Sequence, residues 1–296
     1  MDIKQTIKDL ALKYGMDMCG VASVDRFAES PPGTHPEEIL PGCKSVIVIG
    51  VRLLDGIIQA NFRSFEDGMS QLKGLYGTYA YTILPNYELA YACYAVAQTL
   101  ERATGEVAVP LSTGPMTNGK QISLRHAAVA AGLGEFSWMS IVLTPEFGPR
   151  NRFGAILTTA EIEADPMYSG VSLCNNCGIC TKVCPTNAIG EYGSDDKHSC
   201  KVGEREFTYA TVSMPRCYVA EHALRKEFGG KEDLIDNPDP TWDEVNEAMS
   251  KLPVSELGLQ HADSWHCGRC LSYCPAGKWK QRFRDKNLSK GAGAVS

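Results

Sequence analysis

The chain has 296 residues, enough for one large or two ordinary domains with cores of their own. Its hydrophobic content of 44% and charged content of 22% are typical of a globular protein. A net charge of −6 argues against general nucleic-acid binding through a basic surface. The first residues predict an amphipathic helix rather than a signal peptide, and no apolar run is long enough to span a membrane, so we expect no membrane contact.

Residues 1–165 show the mixed helix and strand pattern of an α/β core. Ile3, Ile7, Leu10 and Tyr14 recur at helical spacing, which predicts an opening helix. The apolar, β-branched run 45–51 predicts a central strand. Further predicted elements are strands at 18–24, 107–111, 141–143 and 153–159, a helix at 122–131, and a long helix capped by Asn86 that runs to Thr104.

The composition changes after Asp165-Pro166. Residues 166–280 are loop-rich and predict a second domain built around metal ligands. An acidic helical insert is expected at about 218–262, with its clearest helix at 242–252. Residues 281–296 predict a solvated basic tail.

Eight of the twelve cysteines form two copies of one iron–sulfur signature. The first copy has the spacing C-x2-C-x2-C-x3-C-P; it comprises Cys174, Cys177, Cys180 and Cys184. The second comprises Cys267, Cys270 and Cys274 with a detached partner, Cys217. In this signature the cysteine before the proline ligates the other cluster, so we predict two [4Fe–4S] clusters with crossed ligands. One takes Cys174, Cys177, Cys180 and Cys274; the other takes Cys184, Cys217, Cys267 and Cys270.

Two other uses of these cysteines fit less well. A zinc ribbon needs two C-x2-C pairs, and disulfide frameworks belong to small secreted domains. Cys200 competes with Cys217 as the detached ligand; we favour Cys217 because residues 214–217 predict a loop leading into a helix at 218–226. Cys19, Cys43 and Cys93 lie in apolar contexts and are expected to be buried. Because cluster ligands must stay reduced, we expect a cytoplasmic location.

The order of motifs resembles the epoxyqueuosine reductases and, more distantly, the reductive dehalogenases. The matching stretches lie at 7–11 with 20–23, 40–48, 130–134, 145–148 with 154–158, and 216–218. The last of these, Arg216-Cys217-Tyr218, resembles the family's lone cluster ligand and also favours Cys217 over Cys200. The resemblance runs from about residue 3 to residue 280.

The resemblance implies a nitroreductase-like α/β core followed by a bacterial-ferredoxin-like dicluster domain. It also implies a base-off cobalamin that two clusters feed with electrons, and a reduced ferredoxin or flavodoxin-type protein as electron donor. The protein would supply position and electrostatics for chemistry that belongs to the cofactor. The predicted cobalamin contacts are Gly132, Gly134, Ser137, Phe147 and Gly148.

The chain also departs from the family. Where epoxyqueuosine reductases carry an aspartate that is the candidate general acid, this chain has Ser112, which cannot replace a carboxyl as a proton donor. Ser137-Trp138-Met139 replaces a Gly-Lys-Asn stretch, and Asn86-Tyr87-Glu88 replaces Asp-Tyr-His. The helical-repeat extension associated with tRNA is missing. Epoxyqueuosine reduction and tRNA binding are therefore not expected, and the small-molecule substrate is left undefined.

A rebuilt site needs a proton donor, and a tyrosine with a nearby cation resembles the dehalogenase arrangement. The tyrosine-rich stretch 76–87 predicts Tyr81 and Tyr87 as donors, with Lys120 as the cation and Arg125 or His126 as alternatives. The same tyrosines have spacing that also fits ordinary packing. Arg150 and Arg152 could bind corrinoid carboxamides or an anion.

The sequence thus predicts a cobalamin-dependent reductase. The alternative is a redox partner that passes electrons through two clusters to a corrinoid protein or another enzyme without being the catalyst. A weaker third reading keeps the core but gives it another cofactor, such as a flavin.

Overall fold

A computed structural model describes residues 2–69, 72–81, 83–112, 122–252 and 267–278. Its helices are α1 (Ile3–Lys13), α2 (Pro36–Ile39), α3 (Asp55–Glu66), α4 (Lys73–Tyr76), α5 (Leu84–Thr104), α6 (Leu124–Ala130), α7 (Ile179–Lys182), α8 (Met214–Glu221), α9 (Trp242–Ser250) and α10 (Arg269–Tyr273). Its strands are β1 (Met18–Ser23), β2 (Ser45–Arg52), β3 (Ala108–Leu111), β4 (Glu135–Phe136), β5 (Val142–Leu143), β6 (Asn151–Thr158), β7 (Lys197–Val202) and β8 (Arg205–Ala210).

The core is an antiparallel sheet with strand order β1-β2-β6-β3. Ile47 lies between Val21 on one neighbouring strand and Ile156 on the other. The predicted central strand is confirmed, because every residue of β2 except the last is buried. A strand of continuous apolar residues can be buried on both faces, and each large side chain buried this way contributes about 1.5–3 kcal/mol.

Each face of the sheet is covered by different elements. On one face, Ile47 and Ile49 pack with side chains of α1 and α5. On the other, Val46 and Val48 pack with α6 and with the β7–β8 hairpin, which contributes Phe207. The hairpin comes from the cysteine-rich half of the chain, so the two halves share this apolar layer.

Two local predictions from the sequence were wrong. Asn86 does not cap α5, which begins two residues earlier at Leu84; Pro85 lies in its first turn, where a missing N–H costs nothing. Cys217 lies within α8 rather than in a loop before a helix. Cys200, the competing ligand, lies in β7.

The second cysteine motif is attached to the core by α3, a helix that the sequence did not predict. The Asn61 amide donates hydrogen bonds to the Cys267 carbonyl at 3.0 Å and to the Ser272 hydroxyl at 3.1 Å. At the other end of the core, Asp165 binds Lys4 and Lys8, and accepts a hydrogen bond from the Val21 amide. Among the helices in the described ranges, none is long and apolar enough to cross a membrane.

Candidate iron–sulfur and proton-transfer site

Four cysteines from two distant parts of the chain surround one cavity of about 150 Å³. These four, called the first set, are Cys174, Cys177, Cys180 and Cys274. Burial raises the pKa of the Cys274 thiol, and the neighbouring Cys174 and Cys177 raise it further. Thiolates around a shared space are the ligands that a [4Fe–4S] cluster requires, so the residues fit one cluster.

The other four motif cysteines also converge. This second set is Cys184, Cys217, Cys267 and Cys270. Burial raises the pKa of the Cys217 thiol well above its usual value, and Glu221 and the other three thiols of the set raise it further. The structure therefore brings the four thiols of each predicted group near one another. Cys270 also lies close to Cys180 of the first set, and the crossed ligation stays a prediction. Binding iron would require these thiols to lose their protons, so cluster assembly should release protons.

The two loops that present the thiols have the same local geometry. Gly178 precedes α7 with φ 68°, and Gly268 precedes α10 with φ 58°. Both stand in a Cys-Gly-x-Cys sequence, where a left-handed residue turns the chain sharply between two ligands. Tyr76 contacts the space beside Gly268, so a side chain there would also collide with a ring. Glycine is thus required twice at equivalent places.

Backbone amides point at thiols in each set. The Trp138 N–H lies 3.5 Å from Cys174 Sγ, and the Ala188 N–H lies 3.2 Å from Cys184 Sγ. Hydrogen bonds to the sulfurs are one of the means by which a protein sets the reduction potential of a cluster. Across the described residues, no three Cys, His, Asp or Glu side chains are arranged to hold a single metal ion.

Cys200 lies away from both sets. It packs beside the apolar layer that contains Tyr209, which donates a hydrogen bond to its sulfur, and burial raises the pKa of its thiol. Cys43 and Cys93 are buried, as expected, and Cys19 is half-buried. This placement favours Cys217 over Cys200 as the detached ligand.

Tyr81, a predicted proton donor, is half-buried and lies beside Cys217 of the second set. Glu221 and Arg152 are its polar neighbours. Its hydroxyl donates a hydrogen bond to the Glu221 carboxylate. The Arg152 guanidinium lies 4.9 Å from the centre of its ring. Burial raises the pKa of Tyr81, and the Glu221 charge raises it further, while Arg152 opposes the rise. Tyr81 therefore keeps its proton at neutral pH.

Neither Glu221 nor Arg152 is predicted from the sequence to be a partner of Tyr81. Glu221 follows Cys217 by four residues on α8, a spacing that places both on one helix face. Arg152 occupies the start of β6 opposite Val51. The four-residue spacing of Cys217 and Glu221 can be read from the sequence, but only the tertiary fold brings β6 and α8 to the same tyrosine. Within the described ranges, Arg152 supplies a cation beside Tyr81.

Of the other predicted catalytic residues, those that the structure describes lie outside this group. Tyr87 is 60% exposed on the outer side of α5. Lys120 lies outside the described residues. Arg125 donates hydrogen bonds to Ser140, and His126 lies 2.8 Å from the Ser123 hydroxyl and against the Phe136 ring.

The five residues predicted to contact cobalamin occupy tightly packed backbone. At Gly132, Gly134 and Gly148 an added Cβ would collide with the carbonyls of Pro166, Leu143 and Ala276, respectively. The Ser137 hydroxyl donates to the Ile141 carbonyl at 2.6 Å, and the Phe147 amide donates to the Thr144 hydroxyl at 3.2 Å. These contacts give each residue a packing role, and cobalamin contact stays a prediction for all five.

Comparison with known proteins agrees with this site. A model of the 4Fe-4S binding domain matches residues 171–190. The tetrachloroethene reductive dehalogenase of Sulfurospirillum multivorans is 29% identical over 164 residues, which is 54% of this chain and 29% of that enzyme. The epoxyqueuosine reductase of Bacillus cereus is 25% identical over 219 residues, 67% of this chain and 55% of that enzyme. The matched regions thus span less than two thirds of either relative.

The fold is shared with a solved reductive dehalogenase, described for B12-dependent dehalogenation. The two superpose with a TM-score of 0.60 at 17% identity, over 98% of this chain and 34% of that one. The chain is therefore a distant relative of the reductive dehalogenases and epoxyqueuosine reductases that carries a 4Fe-4S binding domain.

Proposed function

We propose that the protein is an iron–sulfur oxidoreductase that passes low-potential electrons through two [4Fe–4S] clusters to a bound cobalamin, for the reduction of a small substrate. In this proposal a nitroreductase-like core carries the corrinoid and a bacterial-ferredoxin-like segment carries the clusters. When bound, the clusters would supply electrons one at a time and the cobalamin a strongly reducing metal centre.

One observation carries the proposal: the second set of cysteines lies directly beside a protonated tyrosine with a cation. The Tyr81 hydroxyl donates a hydrogen bond to Glu221, and the Cys217 thiol also lies close to Glu221. Electron and proton sources for a reduction are thus held within one part of the fold.

Tyr81 is the proposed proton donor. Its hydroxyl would give its proton to the reduced substrate, and the Arg152 charge would stabilise the phenolate that is left. Glu221 accepts the Tyr81 hydrogen bond, so the hydroxyl would exchange this bond for one to the substrate as its proton is transferred.

The substrate is proposed to differ from epoxyqueuosine. Ser112 follows β3 directly and continues towards the end of the sheet at which Arg152 lies, since Leu111 pairs with Ala155 and Arg152 is three residues before it. The residue in the position of the family's candidate acid therefore lies towards the Arg152 end of the sheet but cannot act as a carboxyl acid. A tyrosine donor would suit a small molecule with no tRNA attached.

A titration with cob(II)alamin tests the cofactor. Anaerobically reconstituted protein is mixed with cob(II)alamin and the electron paramagnetic resonance spectrum is recorded. Loss of the nitrogen superhyperfine structure, which marks a base-off cobalt, is the expected result. Iron-free protein serves as the control, because it separates corrinoid binding from cluster binding.

An unchanged cobalt signal would contradict the cobalamin proposal. If the same sample holds two clusters, that result would favour the redox-partner alternative, in which reduced ferredoxin or a flavodoxin-type protein supplies electrons that are passed on to another protein. Exposure of Cys177 at the surface gives such partners a place to approach.

A further inference from the structure

Arg150 is a buried cation beside the first set of cysteines. Only 1% of its surface is exposed, and it is among the largest side chains that are fully buried. It precedes β6, and its carbonyl accepts a hydrogen bond from the Leu53 amide at 2.9 Å, so the sheet fixes its backbone. A guanidinium keeps its charge at any physiological pH, which makes its burial costly unless an anion compensates it.

The guanidinium reaches from the core to the segment that carries Cys274. Its Nη1 donates to the Cys274 carbonyl at 2.9 Å and, more weakly, to the Leu271 carbonyl at 3.5 Å. Its Nη2 donates to the Ala276 carbonyl. These three bonds hold the chain on both sides of the fourth thiol of the first set.

The surrounding loop reinforces this contact. Gly148 has φ 58° and lies against the Ala276 carbonyl, and the Lys278 amide donates to the Glu146 carbonyl. The Asn151 amide in turn donates to the Gly148 carbonyl at 2.6 Å. The position of Arg150 relative to Cys274 is therefore fixed from several directions.

The carbonyl oxygens that accept hydrogen bonds from Arg150 carry no net charge. Cys274 and Ala276, whose carbonyls accept hydrogen bonds from the guanidinium, both line the cavity that the first set surrounds, so the fixed positive charge lies beside the space that a cluster would occupy. The second set faces charges of both signs instead, because Glu221 lies beside Cys217 while Arg269 opposes the rise in the pKa of Cys267.

We infer that Arg150 is a positioning residue that both fixes Cys274 and raises the reduction potential of the cluster held by the first set. On reduction that cluster takes up one electron from an external donor, no bond forms or breaks, and its negative charge grows by one unit. A fixed positive charge in a medium of low dielectric constant stabilises the more negative form. The inference rests on the two clusters of the proposed function but not on cobalamin.

Redox titration of charge variants tests this role in the reconstituted protein without corrinoid. Arg150→Met should keep the iron and sulfide content of the parent while the midpoint potential of one cluster falls and the other stays unchanged. Arg150→Lys, which keeps the charge, should restore most of the lost potential. The exposed Arg102 at the end of α5 provides a matched control, since Arg102→Met removes the same charge and should leave both potentials unchanged.

Two outcomes would overturn the inference while leaving the proposed function intact: equal potentials in Arg150→Met and the parent, or a lysine variant that falls as far as the methionine variant. If Arg150→Met loses a cluster, the midpoint potentials of Arg150→Gln and Arg150→Lys are compared instead. Equal potentials in these two variants would refute the charge effect, and so would loss of a cluster in Arg150→Lys. A parent that binds no iron and sulfide would instead refute the proposed function, and this inference with it.

Discussion

The sheet and the cysteine loops are built on different principles. In β2 and β6 nearly every side chain is buried, and the strands are held by apolar contacts on both faces. In α7, which carries Cys180, no residue is buried. The sheet can be stable through burial of apolar side chains alone, whereas the cysteine loops depend on iron bound to their thiols.

Removal of iron is expected to have the largest effect and to separate the two regions. Hydrogen exchange should accelerate strongly at residues 174–184 and 267–274 in iron-free protein, because metal binding supplies the folding free energy of such loops. The amides of β2 and β6 should stay protected. Exchange followed by mass spectrometry measures both, and equal acceleration in the sheet would show that the regions do not differ in this way.

The Cys217→Ala substitution is the next test, because it removes one thiol of the second set. The variant should lose one cluster, whereas Cys200→Ala should keep about eight irons per chain. Iron and sulfide analysis of both reconstituted variants gives the comparison. Loss of iron in Cys200→Ala with full content in Cys217→Ala would reverse the choice of ligand, and zinc in place of iron would refute the cluster prediction altogether.

A cavity in the sheet should affect stability without affecting the clusters. Leu157 on β6 is fully buried, and Leu157→Ala should lower the free energy of unfolding by about 2–5 kcal/mol. Urea denaturation measures the change, and iron content should equal that of the parent. Val171 is 87% exposed, so Val171→Ala serves as a control that should change stability by less than about 0.5 kcal/mol.

The smallest expected effect concerns the pH dependence of stability at α6. Burial lowers the pKa of His126 from 6.5 to about 4, so the folded protein holds fewer protons than the unfolded chain between these values. The contribution of neutral His126 is therefore complete above pH 6.5 and is lost as the pH falls towards 4. In urea denaturation from pH 7.5 to 5, His126→Gln should lose less stability than the parent; parallel curves would contradict this.

Much of the sheet could be predicted from the sequence because apolar patterns act locally. The run 45–51 has no polar residue after Ser45, and the structure places it at the centre of the sheet. The end of α5 was predicted as well, since Gly105 adopts φ 75° directly after Thr104. The start of α5 was not predicted. Asn86 is a favoured capping residue, but the helix begins at Leu84 and has Pro85 in its first turn.

The candidate site divides in the same manner. The spacing of the cysteines predicts both thiol sets, because most ligands of each cluster come from one short stretch of chain. Arg152 was noted as a possible anion-binding residue, yet its place beside Tyr81 depends on the packing of three separate elements. Phe147 and Gly148 were assigned to the cofactor, while in the structure their loop holds the chain at Ala276. The family resemblance identifies the loop that contains Phe147 and Gly148, but it does not predict that this loop packs against Ala276.

The crossed grouping of the thiols also has a consequence for biosynthesis. The ribosome synthesises Cys274 long after the other thiols of the first set, which are Cys174, Cys177 and Cys180. In the second set, Cys267 and Cys270 are likewise synthesised long after Cys184. A nascent chain shorter than 270 residues therefore contains no complete ligand set, although it already contains the whole sheet. Iron–sulfur delivery to this protein should be a late event, and ribosome-bound chains halted before Cys270 should fold their core while remaining unable to retain a complete cluster.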